Sequence, residues 1–132
     1  MKKIFLILST ITISLMISFS LFSCKTLKEI PTEKTAAQII QMGQNEAAAE
    51  AYKNAEFCYN TAIDRYGTNM NIFVEAKYEL AHIYSKQKKY DMAEEAFNEI
   101  IDLYDKHSDI LPPKFKKLSL LGLEKIPAPE ER

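Results

Sequence analysis

Beyond residue 33 the apolar residues advance in steps of three and four, and no stretch alternates with period two. In YKNAEFCYNTAIDRYG, residues 52–67, Tyr52, Ala55, Tyr59, Ala62, Ile63 and Tyr66 take steps of 3, 4, 3, 1 and 3. In YDMAEEAFNEIIDLYD, 38 residues further on, Tyr90, Ala93, Phe97, Ile100, Ile101 and Tyr104 take the same steps. Such spacing lines one face of an α-helix. The small residue admits a neighbouring helix, and the aromatic one turn later fills the space beside it. The pattern predicts an all-α fold of five helices, over about 34–47, 50–66, 72–86, 90–106 and 113–125.

Helix ends carry their own signals. Gly67 is expected to close the second helix in the left-handed conformation. Asp91, with Glu94 three residues on, reads as a capping box. Lys106 and His107 suit the negative end of a helix dipole. Pro112 and Pro113 end one segment and open the next. The stretch NEAAAEAY, residues 45–52, holds no turn residue, so one continuous helix over 34–66 is the alternative to two.

A shift of 38 also relates the intervening helices. Leu80 and Ala81 fall opposite Met42 and Gly43 in one direction and Leu118 and Ser119 in the other, each time large then small. Tyr84 has no such counterpart, since Glu46 lies opposite it. The run Leu80, Ala81, Tyr84, Tyr90, Ala93, Phe97, Ile100 resembles the tetratricopeptide repeat over about 76–105, and with the weaker copy over about 36–125. That resemblance implies antiparallel helix pairs closed by a C-terminal capping helix. The usual period is about 34 residues, so four extra residues are expected, within 68–73. In the capping helix Phe115, Leu118, Leu121 and Ile126 are expected to face the array, with Lys114, Lys116, Lys117, Glu124 and Lys125 in water. The resemblance further implies a partner groove along the first helices, here Glu75, Tyr78, Glu79, His82 and Lys86, with Tyr78 as its anchor. The set lacks the Lys and Asn pattern by which some members of that family clamp a C-terminal carboxylate.

The N-terminal segment has a different character. Lys2 and Lys3 precede a run without charge over residues 4–23, and LFSC at 21–24 leads at once into Lys25 and a polar stretch. This is a secretory signal layout. Its end resembles the lipobox of bacterial lipoproteins, which implies lipidation of Cys24; an uncleaved membrane-spanning anchor is the alternative. The expected organisation is a signal peptide over 1–23, a lipidated cysteine and tether over 24–33, a helical domain over 34–126 and a polar tail over 127–132. The folded part is then expected on the periplasmic side of a bacterial envelope. Lys25 in place of an inner-membrane retention Asp tilts this toward the outer membrane.

Composition narrows the chemistry. The formal charge is −1, and without Lys2 and Lys3 the chain has 15 basic against 18 acidic residues. A nucleic-acid surface wants clustered Lys and Arg, so nucleic acid is not an expected partner. Once Cys24 is assigned to lipid, Cys58 has no partner within the chain and reads as a small packing residue. His82 and His107 are isolated. The acidic run Asp91, Glu94, Glu95, Glu99 reads as a solvated helix face. No phosphate loop, paired-His motif or nucleophile elbow is present, so neither catalysis nor a cofactor or metal is expected. The expected role is a lipid-anchored scaffold for envelope proteins or peptides. The alternatives are a ligand-binding or transporter-accessory lipoprotein, and a structural lipoprotein that assembles with itself as a homo-oligomer.

Overall fold

The structure is a computed structural model that describes residues 26–131. The signal segment and Cys24 lie outside the described residues. Among the described residues five α-helices follow one another: α1 Ala36–Ala48, α2 Tyr52–Tyr66, α3 Met70–Lys86, α4 Tyr90–His107 and α5 Lys114–Leu123. A 3-10 turn over Pro129–Glu131 follows, and the described residues contain no strand. α1 packs on α2 and α3 on α4, while α2 joins the first pair to α3 and α4 joins the second pair to α5. α1 also meets α3, and α3 meets α5, whereas α2 and α4 stay apart. The molecule is thus a tetratricopeptide-like array of helix pairs, with its first helices touching in sequence along one side.

The shift of 38 appears in three dimensions. Gly43, Ala81 and Ser119 are all buried. A Cβ added at Gly43 would lie 2.6 Å from the Tyr59 ring, so α1 approaches α2 through a position only glycine fills unchanged. In the second pair Ala81 and Phe97 share one core cluster. There Gly122 supplies the glycine contact, since a Cβ added to it would lie 2.4 Å from the Phe97 ring. The repeated residues Tyr59, Ala62, Ala93, Phe97 and Ile100 are at most 1 % exposed. Tyr52 and Tyr84 pack half-buried at the edges of the cores, and Tyr90 is likewise half-buried.

The pairs turn over by one device. α1 and α2 are separate helices because Glu50 takes a positive φ of 58°, and Lys88, 38 residues on, takes 60°. In the first turn Ala51 donates to the Glu46 carbonyl and Glu50 to that of Ala47. In the second, Lys89 donates to Tyr84 and Lys88 to Ser85. Each is a Schellman closure, in which one left-handed residue lets two backbone N–H groups cap the last carbonyls. Gly67, by contrast, closes α2 in the right-handed region with φ −67°, so the expected left-handed glycine is absent.

Other ends also differ from expectation. α1 starts on a capping box in which Thr35 and Gln38 bond each other's backbone N–H groups. α3 starts at Met70, where the Asn69 side chain accepts from the Asn71 N–H. α4 has no side-chain cap at its start: Lys89 is the N-cap residue, and Asp91 sits within the first turn. The four extra residues of the period do fall within 68–73, but as helix. α3 has 17 residues against 13 in α1, the excess being one turn at its start.

The segment before α1 is docked, although its polar sequence suggested a free tether. Ile30 is 1 % exposed and belongs to the same core cluster as Ile39, Cys58 and Tyr59, with Leu27 packed at its edge. α2 grips the segment's backbone. The Leu27 N–H donates to Asn54 Oδ1 at 2.9 Å, Arg65 donates to the Ile30 and Pro31 carbonyls at 2.6 and 2.8 Å, and the Tyr66 hydroxyl donates to the Lys34 carbonyl at 2.6 Å. Asn54 to Arg65 spans about 16 Å of helix, so the strap is held along most of α2.

Candidate functional site: a cleft between α3, α4 and α5

The C-terminal half of α3 borders a cleft of about 310 Å³. Its floor comes from the aromatic and aliphatic residues that also build the core. Phe97 of α4 lies at the base, with Leu118, Leu121 and Gly122 of α5 along one wall and Tyr78 of α3 along the other. Because Gly122 has no side chain, α5 closes directly onto the Phe97 ring: an added Cβ would lie 2.4 Å from it. Tyr90, at the start of α4, borders the upper end.

Tyr78 is fixed on three sides. Its ring lies 6.1 Å from Phe97, 5.6 Å from Phe115 and 6.3 Å from His82, the last nearly parallel at 17°. His82 follows one helical turn later, so the pair stacks along α3. The expected anchor of the groove is therefore also a packing residue that ties α3 to α5. Replacing it would disturb the core as well as the cleft. Leu121, expected to face the array, is 40 % exposed on the cleft's rim, and Ser119 and Leu123 take the inward directions instead. Phe115, Leu118 and Ile126 do pack against α3 and α4.

The predicted groove residues divide. Tyr78, His82 and Lys86 come together in the cleft. Glu79 points toward α1, where its Oε1 accepts from Gln44 Nε2 at 3.0 Å. Glu75, a turn earlier on α3, is half-buried outside the cleft lining. Sequence reasoning missed Lys125, which follows α5 and joins the rim; the only available signal was the large–small match of α5 to the earlier first helices.

The cleft has a positive rim. His82 keeps its pKa below the ordinary imidazole value. Partial burial is the main cause, Lys86 and Lys125 add to it, and Glu79 opposes it. Among the described residues neither lysine has a carboxylate within ion-pair distance; the pairs formed are Lys77–Glu99, Lys89–Glu56 and Lys116–Asp105. Burial and then Glu79 raise the Tyr78 phenol, so it stays a neutral hydroxyl at physiological pH.

Cys58 is buried, and burial followed by Glu46 pushes its thiol up to about 11, leaving it protonated and inert at neutral pH. Among the described residues no group of three or more His, Cys, Asp or Glu is arranged to hold a metal ion. None of the described helices is long and apolar enough to cross a membrane.

Comparison with known proteins agrees with the architecture. Residues 74–107 match the tetratricopeptide repeat family, a span covering α3 after its additional first turn, the Schellman turn and α4. The chain is also similar to an uncharacterized protein of Treponema pallidum (strain Nichols), 30 % identical over 115 residues. That alignment covers 82 % of this chain and 45 % of the relative, so the chain spans under half of the relative's length. No solved structure matches. The matched repeat and the array of pairs give the described residues a tetratricopeptide-like fold, and tetratricopeptide repeats generally mediate protein–protein interaction.

Proposed function

We propose that this protein is a lipid-anchored scaffold of the bacterial envelope, and that the cleft between α3, α4 and α5 holds a segment of a partner protein. The observation that carries the binding part is the cleft itself, with an apolar floor, a rigid aromatic wall and charged groups on its rim. Rigid aromatic surface bordered by polar groups is the usual make-up of a protein-recognition pocket. The tetratricopeptide match over 74–107 supports the same reading. A photo-crosslinking residue at Leu121 should capture a partner in cells, and one at Asp102, exposed on α4 outside the cleft lining, should not. Equal capture at both positions, or none at Leu121, would rule the cleft out.

The anchor rests on the layout of residues 1–25, and the docked strap gives it a structural consequence. With Leu27 already held by Asn54, only residues 25 and 26 separate a lipidated Cys24 from the folded body. Three steps of chain reach about 10 Å. The domain would then ride close to the bilayer, with the end carrying the turns at 49–51 and 87–89 nearest to it, since Asn54 lies in the first turn of α2. Cys24→Ala should move the protein from the detergent phase to the aqueous phase on phase separation; retention in detergent would refute the lipid anchor.

A further inference from the structure

We infer that residues 26–34 form a releasable strap: docked on α2 it holds the domain close to its anchor, and released it lets the domain stand off. The inference rests on the proposed lipid anchor and adds a second, extended state to it. The docked segment is held through its main chain. The side chains of Asn54, Arg65 and Tyr66 bond the Leu27 N–H and the carbonyls of Ile30, Pro31 and Lys34. Among residues 26–33 only Leu27 and Ile30 turn inward, and the other six are exposed. The segment forms no helix or strand, only one turn in which the Lys34 N–H donates to the Pro31 carbonyl. A segment with so few contacts for its length belongs to the low-stability end of a fold, where local opening occurs.

Both sides of this contact stand without it. α1 begins on its own capping box, Thr35 with Gln38, so release stops at Thr35 and does not unravel the helix. Asn54 is held from within the body, since its Nδ2 donates to Glu46 Oε2 at 2.8 Å. Arg65 and Tyr66 lie in the last turn of α2. The receiving face is therefore formed whether or not the strap is on it. Ile30 is the one deep contact, 1 % exposed in the cluster of Ile39, Cys58 and Tyr59. Its withdrawal uncovers apolar surface, which keeps the docked state dominant and the released state a minor population. The two states differ in reach. Docked, the three steps from Cys24 to Leu27 extend about 10 Å. Released, the eleven steps from Cys24 to Thr35 extend about 36–40 Å. Release thus moves the domain by up to about 25 Å, through a local event that leaves all five helices in place.

Hydrogen exchange on the full chain tests the release. The Leu27 amide, bonded to Asn54, should exchange about a hundredfold faster than the Ile39 amide, bonded to Thr35 in α1, and faster than the amides of α4. Arg65 provides the decisive variant, because it grips the strap at Ile30 and Pro31, about 16 Å of helix from Asn54. If the strap opens as a unit, Arg65→Ala should speed exchange at Leu27 by about tenfold or more and leave Ile39 and α4 protected. Ile30→Ala should give the same pattern, and Arg65→Lys, which lacks the two-pronged donor, an intermediate one. On phosphatidylcholine vesicles, energy transfer from a dye on Lys53→Cys to a headgroup-labelled lipid reads the height of the lipidated chain. Lys53 is exposed beside Asn54, and the buried Cys58 does not take the dye. Arg65→Ala and Ile30→Ala should each lower the transfer.

Exchange at Leu27 that ignores Arg65→Ala would overturn the inference in favour of fraying from residue 26 inward. Exchange at Leu27 only in step with Ile39 would overturn it in favour of a strap that opens only when the whole domain unfolds. Accelerated exchange with unchanged energy transfer would overturn the change of height. If Cys24→Ala leaves the chain in the detergent phase, the anchor reading fails and the change of height fails with it. If the chain is lipidated but Leu27 shows no partial opening, the anchor reading stands and the strap inference alone fails.

Discussion

Two kinds of residue set the geometry of the array, and only one declares itself in sequence. Gly43 and Gly122 permit close approach, and their neighbours show why: a Cβ would meet Tyr59 at 2.6 Å and Phe97 at 2.4 Å. Gly122→Ala should therefore destabilise. Overpacking costs about 1–3 kcal/mol, and the better helix propensity of Ala returns up to about 1, for a net loss of about 1–2 kcal/mol in urea unfolding. An unchanged midpoint would mean that the Phe97 ring gives way freely. Glu50 and Lys88 are the opposite case, for they take left-handed φ values with side chains that gain nothing from it. Both are exposed, so their replacement removes strain without opening the core. Left-handed backbone costs a non-glycine residue about 1–2 kcal/mol, and the added freedom of glycine in the unfolded chain offsets about 0.4–1. Lys88→Gly should raise the melting temperature by a few degrees, and Glu50→Gly likewise; a fall in either would contradict the closure described. Neither turn was legible from residue type. A Schellman closure is defined by backbone hydrogen bonds, and here it uses Glu and Lys where sequence rules look for Gly or Asn.

At the scale of elements, α1 to α5 were legible because a buried stripe must repeat with the helical period. Boundaries slipped by a few residues where capping depends on geometry: Asn69 starts α3 two residues early, and Lys89 rather than Asp91 precedes α4. The strap was not legible. Its two apolar residues, Leu27 and Ile30, lie among charges and form no periodic pattern long enough to read. They acquire meaning only once α1 and α2 leave a groove, and once Asn54, Arg65 and Tyr66 line up to hold a passing backbone. Ile30→Ala should then behave as a core substitution, lowering stability by about 2–4 kcal/mol, whereas a free tether predicts almost no change. Chemical denaturation of the full chain separates the two. Hydrogen exchange gives the matching local readout, since Asn54→Ala should speed exchange at the Leu27 amide while leaving α4 amides protected. The cleft divided in the same way. Tyr78, His82 and Lys86 share a face of one helix and could be read together, but Lys125 comes from a different element and joins them only through the fold.

The molecule as a whole is held together by neighbour contacts, and its last helix carries a disproportionate share. In such arrays each pair buries its stripe only against the next, and two pairs lie near the lower limit of stability. α5 supplies the final covering. Phe115 of α5, beside Leu111 of the preceding linker, completes the cluster of Val74, Ile100 and Tyr104, and Leu123 with Ile126 just beyond α5 lies against the cluster of Ala81, Ala93 and Phe97. The Tyr104 hydroxyl also donates to the Pro112 carbonyl, fastening the linker that leads into α5. Deleting residues 113–132 uncovers both clusters at once, which is a loss far larger than any single truncation of a side chain. The deleted form should aggregate or melt without a cooperative transition, as judged by circular dichroism and light scattering. Phe115→Ala should unfold cooperatively but earlier, by about 3–5 kcal/mol. The contrast between the two variants is informative in itself. If α5 were an appendage, both would melt like the parent; if it were merely one more contact, both would shift by similar amounts. The cleft depends on the same helix, because α5 contributes one wall and helps to hold Tyr78 through Phe115. Covering the core and forming the cleft are therefore inseparable in this fold, and on the proposed function stability and partner affinity should fall together as α5 is weakened.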